Sequence, residues 1–109
     1  MIREKDALKI TIIGTGYVGL TTGMALAYLG HRVSCVDKNK EIVERLKQGK
    51  PTFHEPGVEE LLAEEAAKIN FTVELEEAAD ADVYMIAVGH PVRITEMPIF
   101  AMWKRQQGR

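Results

Sequence analysis

Residues 8–37 read LKITIIGTGYVGLTTGMALAYLGHRVSCVD. Residues 8–13 are short, apolar and β-branched, and they stop at a glycine, which predicts a buried strand. Gly14-Thr15-Gly16-Tyr17-Val18-Gly19 follows. Residues 20–29 then predict a helix that offers Leu20, Met24, Ala27 and Tyr28 to one face, with Gly30 where a left-handed cap would sit. Residues 32–36 predict a second strand, ending in Asp37. A lone G-x-G-x-x-G is weak evidence. Here a strand precedes it, a helix follows it, and Asp37 lies 18 residues beyond Gly19, near the ~20 expected of a dinucleotide-binding turn.

Each glycine then has a physical task. Gly14 permits the tight turn out of the strand, Gly16 leaves room for a pyrophosphate to approach the backbone, and Gly19 lets the helix pack close to the sheet. Helix-start amides and the helix dipole face the phosphates, flanked by Tyr17 and Val18. Asp37 is expected to accept hydrogen bonds from the adenosine ribose and to repel a 2′-phosphate, which favours NAD over NADP. The blander readings are a strand–helix turn without a ligand, and Asp37 as a cap for the next helix.

Outward from this stretch, Asn39 reads as the N-cap of a second helix with Ile42, Val43 and Leu46 on its buried face and Gly49 at its end. Pro56 suits the first position of a third helix running to about Asn70, with Val58, Leu61 and Leu62 on its apolar side. Residues 71–73 and 83–88 predict two more strands, with a short acidic turn at 75–79 between them. Apolar strands alternating with helices indicate an α/β fold with a parallel sheet and helices on both faces. Right-handed crossovers give the order 3-2-1-4, a partial, Rossmann-like sheet of about four strands.

The chain has 109 residues, a net charge of −2, 46% apolar and 28% charged residues. This balance suits one globular domain and supplies no basic field for nucleic acid or an anionic membrane. No apolar run reaches the ~20 residues of a membrane span, and no signal-peptide core is present, so the expected location is cytoplasmic. Cys35, the single cysteine, reads as a buried, inert thiol. His54 beside Glu55 makes two ligands at most, so no metal site is expected.

Residues 9–91 resemble the N-terminal NAD-binding domain of the UDP-glucose/GDP-mannose dehydrogenases. The resemblance rests on KITIIGTGYVGLTTGMALAYLGHRVSCVD, on KPTFHEPGVEELL and on DADVYMIAVGHP. The middle segment is the specific one, and Glu55-Pro56-Gly57 speaks against a hydroxyacyl-CoA or 6-phosphogluconate type of dehydrogenase. The resemblance implies an oxidoreductase domain of nucleotide-sugar metabolism, like that of UDP-glucose 6-dehydrogenase, with NAD as cofactor. It implies Gly14, Gly16, Tyr17, Val18 and Gly19 at the pyrophosphate, Asp37 at the ribose, and Gly89 and His90 at the end of the fourth strand. Ile42 and His90 depart from the family pattern, in which a basic residue and a threonine stand there.

No catalytic residue is expected in this chain, because the family's lysine, asparagine and cysteine belong further downstream. Residues 1–90 are read as a truncated NAD-binding domain and 91–109 as a tail unlike the family. A fourth strand without a neighbour would be an open edge. Self-association through that edge or the tail is therefore expected, and a non-enzymatic nucleotide-binding module that self-associates is the second reading of function.

Overall fold

The computed structural model describes residues 2–87 and 104–105. Four strands form one parallel sheet: β1 (Lys9–Ile13), β2 (Arg32–Val36), β3 (Asn70–Thr72) and β4 (Val83–Ile86), in the order β3-β2-β1-β4. The order is the one expected from right-handed crossovers. Register places Ile12 beside Cys35 and Met85, and Ile13 beside Val36 and Ile86.

Alternation along these strands divides the sheet into two unlike faces. Ile10, Ile12, Val33, Cys35 and Phe71 point to one face and form the main core. The helices α1 (Tyr17–Leu29), α2 (Lys40–Lys47) and α3 (Val58–Glu65) pack on that face through residues such as Leu20, Met24, Val43, Leu46 and Leu62. The opposite face carries a smaller cluster of Val36, Leu75 and Ala78 beneath the 3-10 turn Leu75–Ala78. Coverage is thus unequal, with α-helices on one side and a single short turn on the other among the described residues.

Four sequence expectations need correction. The first helix begins at Tyr17 rather than Leu20, because Leu20 N already donates to Gly16 O at 2.9 Å. Its buried stripe is Gly19, Leu20, Gly23, Met24 and Ala27. Tyr28 is one step too far around the helix, and it is 55% exposed. Gly23 was not foreseen as part of this stripe; a Cβ there would stand 2.9 Å from Cys35 Sγ.

Pro56 is not the first residue of α3. Val58 N donates to Glu55 O at 3.1 Å, and Gly57 has φ 86° and ψ −17°. That is a type II turn with Pro at its second position and Gly at its third, and the helix starts after it. Finally, α3 ends at Glu65 rather than near Asn70, and Ala66–Lys68 continue as a 3-10 turn. Val83, Met85 and Ile86 are 38%, 36% and 48% exposed on β4, which is an edge strand of the described sheet, in line with the open edge expected there.

Candidate functional site

The glycine turn lies at the carboxyl end of β1, between β2 and β4. Gly14 N donates to Val36 O at 2.9 Å and Ala87 N donates to Ile13 O at 2.8 Å, so the ladder continues past the strand on both sides. Gly14 then turns with φ 107°, a conformation that side chains disfavour. The chain enters α1 at once, with Gly16 as its N-cap.

Gly16 and Gly19 occupy opposite situations. A Cβ on Gly16 would meet nothing within 4 Å, so the space over this residue is open. A Cβ on Gly19 would collide with the carbonyl of Gly14 and come within 3.3 Å of Ala87 Cβ. Gly19 is therefore the point of close helix–turn approach, and Gly16 the point of outside access. Tyr17, Val18 and Gly19 form the first turn of a 13-residue helix, where backbone N–H groups have no partner four residues back. Among the described residues no side chain caps the helix, and Tyr17 and Val18 are 52% and 63% exposed. Open backbone donors, a dipole's positive end and a side-chain-free approach fit a diphosphate.

Asp37 follows β2, and its backbone N donates to Thr72 O at 3.1 Å. Its carboxylate reaches across to the glycine turn. Oδ2 accepts from Thr15 Oγ1 at 2.5 Å and from Thr15 N at 3.3 Å. Oδ1 accepts from Asn39 N at 2.9 Å. Capping of α2 itself falls to Asn39, whose Oδ1 accepts from Glu41 N and Ile42 N. Asp37 thus joins the turn after β1 to the start of α2 and sits beside the glycine turn that leads into α1.

Two neighbours were not foreseen as site residues. Thr15 occupies a position that the glycine pattern leaves free, yet it is 2% exposed. Phe53 brings the loop before α3 against the start of α1, with its ring centroid 5.2 Å from that of Tyr17 and the planes tilted by 57°. A lone aromatic within a polar loop was the available signal for Phe53; nothing local marked Thr15.

Gly89 and His90 lie outside the described residues. Ala87, which precedes them by two or three positions, touches the Gly19 approach. Ile42 packs against the main core. Burial pushes the Cys35 thiol up to about 12, so it holds its proton and is a poor nucleophile. His31 is tied into the scaffold, where its Nδ1 accepts from Leu8 N at 3.0 Å. Among the described residues no group of three or more His, Cys, Asp or Glu could hold a metal, and no helix is long and apolar enough to cross a membrane. A cleft of about 440 Å³ lined by Lys9, Arg32, Ser34, Asn70 and Asp80 sits at the opposite ends of the strands. Parallel sheets bind ligands at their carboxyl ends, so we place the site at the glycine turn rather than in that cleft.

Comparison with known proteins agrees with this geometry. Residues 8–103 match the model for the NAD-binding domain of the UDP-glucose/GDP-mannose dehydrogenase family. A UDP-glucose 6-dehydrogenase of Rhizobium meliloti is 47% identical over 89 residues, 79% of this chain and 20% of the relative. One from Pseudomonas aeruginosa is 44% identical over 87 residues, 77% of this chain and 19% of the relative. The chain therefore spans about a fifth of the length of these curated relatives. Among solved structures, a UDP-glucose dehydrogenase from Pyrobaculum islandicum superposes with a TM-score of 0.75 at 39% identity, covering 86% of this chain and 22% of that one. A ternary complex of GDP-mannose dehydrogenase from Pseudomonas aeruginosa gives 0.71 at 31% identity, covering 89% and 23%.

Proposed function

The chain belongs to the UDP-glucose/GDP-mannose dehydrogenase family, as its NAD-binding domain, and we propose that these 109 residues hold NAD at the glycine turn without oxidising a nucleotide sugar on their own. The observation that carries the proposal is the pairing of an open Gly16 with the Asp37 carboxylate beside the same turn. In this reading the amides of residues 16–18 hold the pyrophosphate and Asp37 holds the adenosine ribose. The family resemblance assigns Gly89 and His90 to the fourth-strand end of the cofactor site. Turnover needs a positioned nucleophile and base, and the buried Cys35 and the scaffold-bound His31 serve as neither.

The substrate class we assign to the complete enzyme is a UDP-sugar whose C6 hydroxyl is oxidised, in keeping with the names of the relatives. The compartment we assign is the cytoplasm, where a lone thiol such as Cys35 stays reduced. Calorimetric titration with NAD, NADP and ADP-ribose tests the binding half. NAD and ADP-ribose are expected to bind comparably and NADP more weakly; absence of binding by both NAD and ADP-ribose would refute it. Reduction of NAD in the presence of UDP-glucose would overturn the catalytic half.

A second, additive reading concerns β4. Its apolar, exposed edge favours self-association of the chain in place of a free monomer. A monodisperse monomer in sedimentation would remove that reading and leave the cofactor proposal intact.

A further inference from the structure

Thr15 is one of only four polar or charged side chains that are buried among the described residues. Its position between Gly14 and Gly16 is unspecified by the glycine pattern, which asks nothing of its side chain. Yet its hydroxyl points at the one carboxylate of the site. Three protein donors converge on Asp37: Thr15 Oγ1 at 2.5 Å and Thr15 N at 3.3 Å on Oδ2, and Asn39 N at 2.9 Å on Oδ1. An ionised carboxylate offers about four acceptor positions. About one therefore remains without a protein donor among the described residues.

From this we infer that Thr15 is a positioning residue of the ribose site: by tying Oδ2 to the glycine turn it fixes the Asp37 carboxylate and reserves about one acceptor position for a ribose hydroxyl. The inference rests on the reading that this chain binds NAD at the turn, and it adds a cause for cofactor choice. A carboxylate held on both oxygens cannot swing away from a 2′-phosphate, so rejection of NADP depends on Thr15 as well as on the charge of Asp37. A carboxylate held at Oδ2 only by the longer 3.3 Å bond from the residue-15 amide is fixed less firmly, which loses alignment with the ribose of NAD and relieves repulsion of NADP.

The competing view is that the Thr15 hydroxyl only fastens the turn to β2. That role would alter stability, and it would weaken both cofactors equally. Thr15→Val keeps the branched shape and removes the donor, and Thr15→Ser keeps the donor. Titration of the unaltered chain and both variants with NAD and NADP, alongside thermal unfolding, separates the views. Thr15→Val is expected to bind NAD about five- to tenfold more weakly, the scale of one ordinary hydrogen bond, since the residue-15 amide still donates to the carboxylate, with NADP changed by less. The preference for NAD then shrinks by a similar factor, and Thr15→Ser restores it. Should the valine variant not fold, Thr15→Ala supplies the hydroxyl-free arm. An unchanged ratio of NAD to NADP affinity in the hydroxyl-free variant overturns the assignment of Thr15 while leaving NAD binding in place. Failure of the unaltered chain to bind either NAD or ADP-ribose overturns both.

Discussion

Gly16 and Gly19 are three residues apart and are needed for opposite reasons. Gly16→Ala puts a methyl into open space at φ −72°, a conformation any residue adopts. Stability is expected to change by no more than about 0.5 kcal/mol, whereas NAD affinity falls at least about tenfold, because the methyl stands where the diphosphate approaches. Gly19→Ala drives its methyl into the Gly14 carbonyl, so unfolding is expected to become easier by about 1–3 kcal/mol. Thermal unfolding and NAD titration of the two variants check this division; equal effects on both readouts would contradict it. Asp37→Ala is expected to weaken NAD by about 1–3 kcal/mol, measured calorimetrically, and to lower stability too, since it strips the ties to Thr15 and Asn39. The glycines and Asp37 were legible in the sequence because their spacing encodes a backbone path. Thr15 was not, because its importance comes from a contact 22 residues away that no local pattern announces.

At the scale of elements, local chemistry was the better guide. Asn39 caps α2 as its residue type suggests, and Asn39→Ala is expected to cost about 0.5–2 kcal/mol in chemical denaturation. The strands were legible from β-branched apolar runs, and their order from the handedness of crossovers. The first helix starts three residues before the apolar periodicity predicts, because Gly16 O already accepts the first helical bond within the glycine motif. The Pro56 misreading has a similar origin. A proline fits either the first position of a helix or the second position of a type II turn, and the left-handed Gly57 decides for the turn. That turn aims the preceding loop so that Phe53 meets Tyr17. Phe53→Ala is expected to release the loop from the start of α1 and speed its cleavage in limited proteolysis, with the core melting temperature little changed. Unaltered cleavage would show that the ring pair does not hold the loop.

Across the whole molecule, sheet and helices act as a frame that presents one end of the strands. The carboxyl ends of β1 and β2, the start of α1 and the end of β4 converge there, while the polar cleft at the other end lies apart. Burial of Cys35 links this frame to pH. The folded thiol keeps its proton up to about 12, whereas an exposed one ionises near 9.0, so the folded chain binds more protons between those values. Its stabilising contribution is complete below 9.0 and is lost as the pH rises toward 12; urea midpoints should fall across that range, and less steeply in Cys35→Ala. The apolar run of β4 looks the same at an edge as in the middle of a sheet; its place at an edge follows from the strand order among the described residues. The most direct test of the cofactor site is a nuclear magnetic resonance titration of the amide signals with NAD. Saturable shifts are expected at Gly14 to Gly19 and Asp37 to Asn39, with Lys9, Arg32 and Asn70 unmoved. Shifts confined to the cleft residues, or none at the glycine turn, would contradict it.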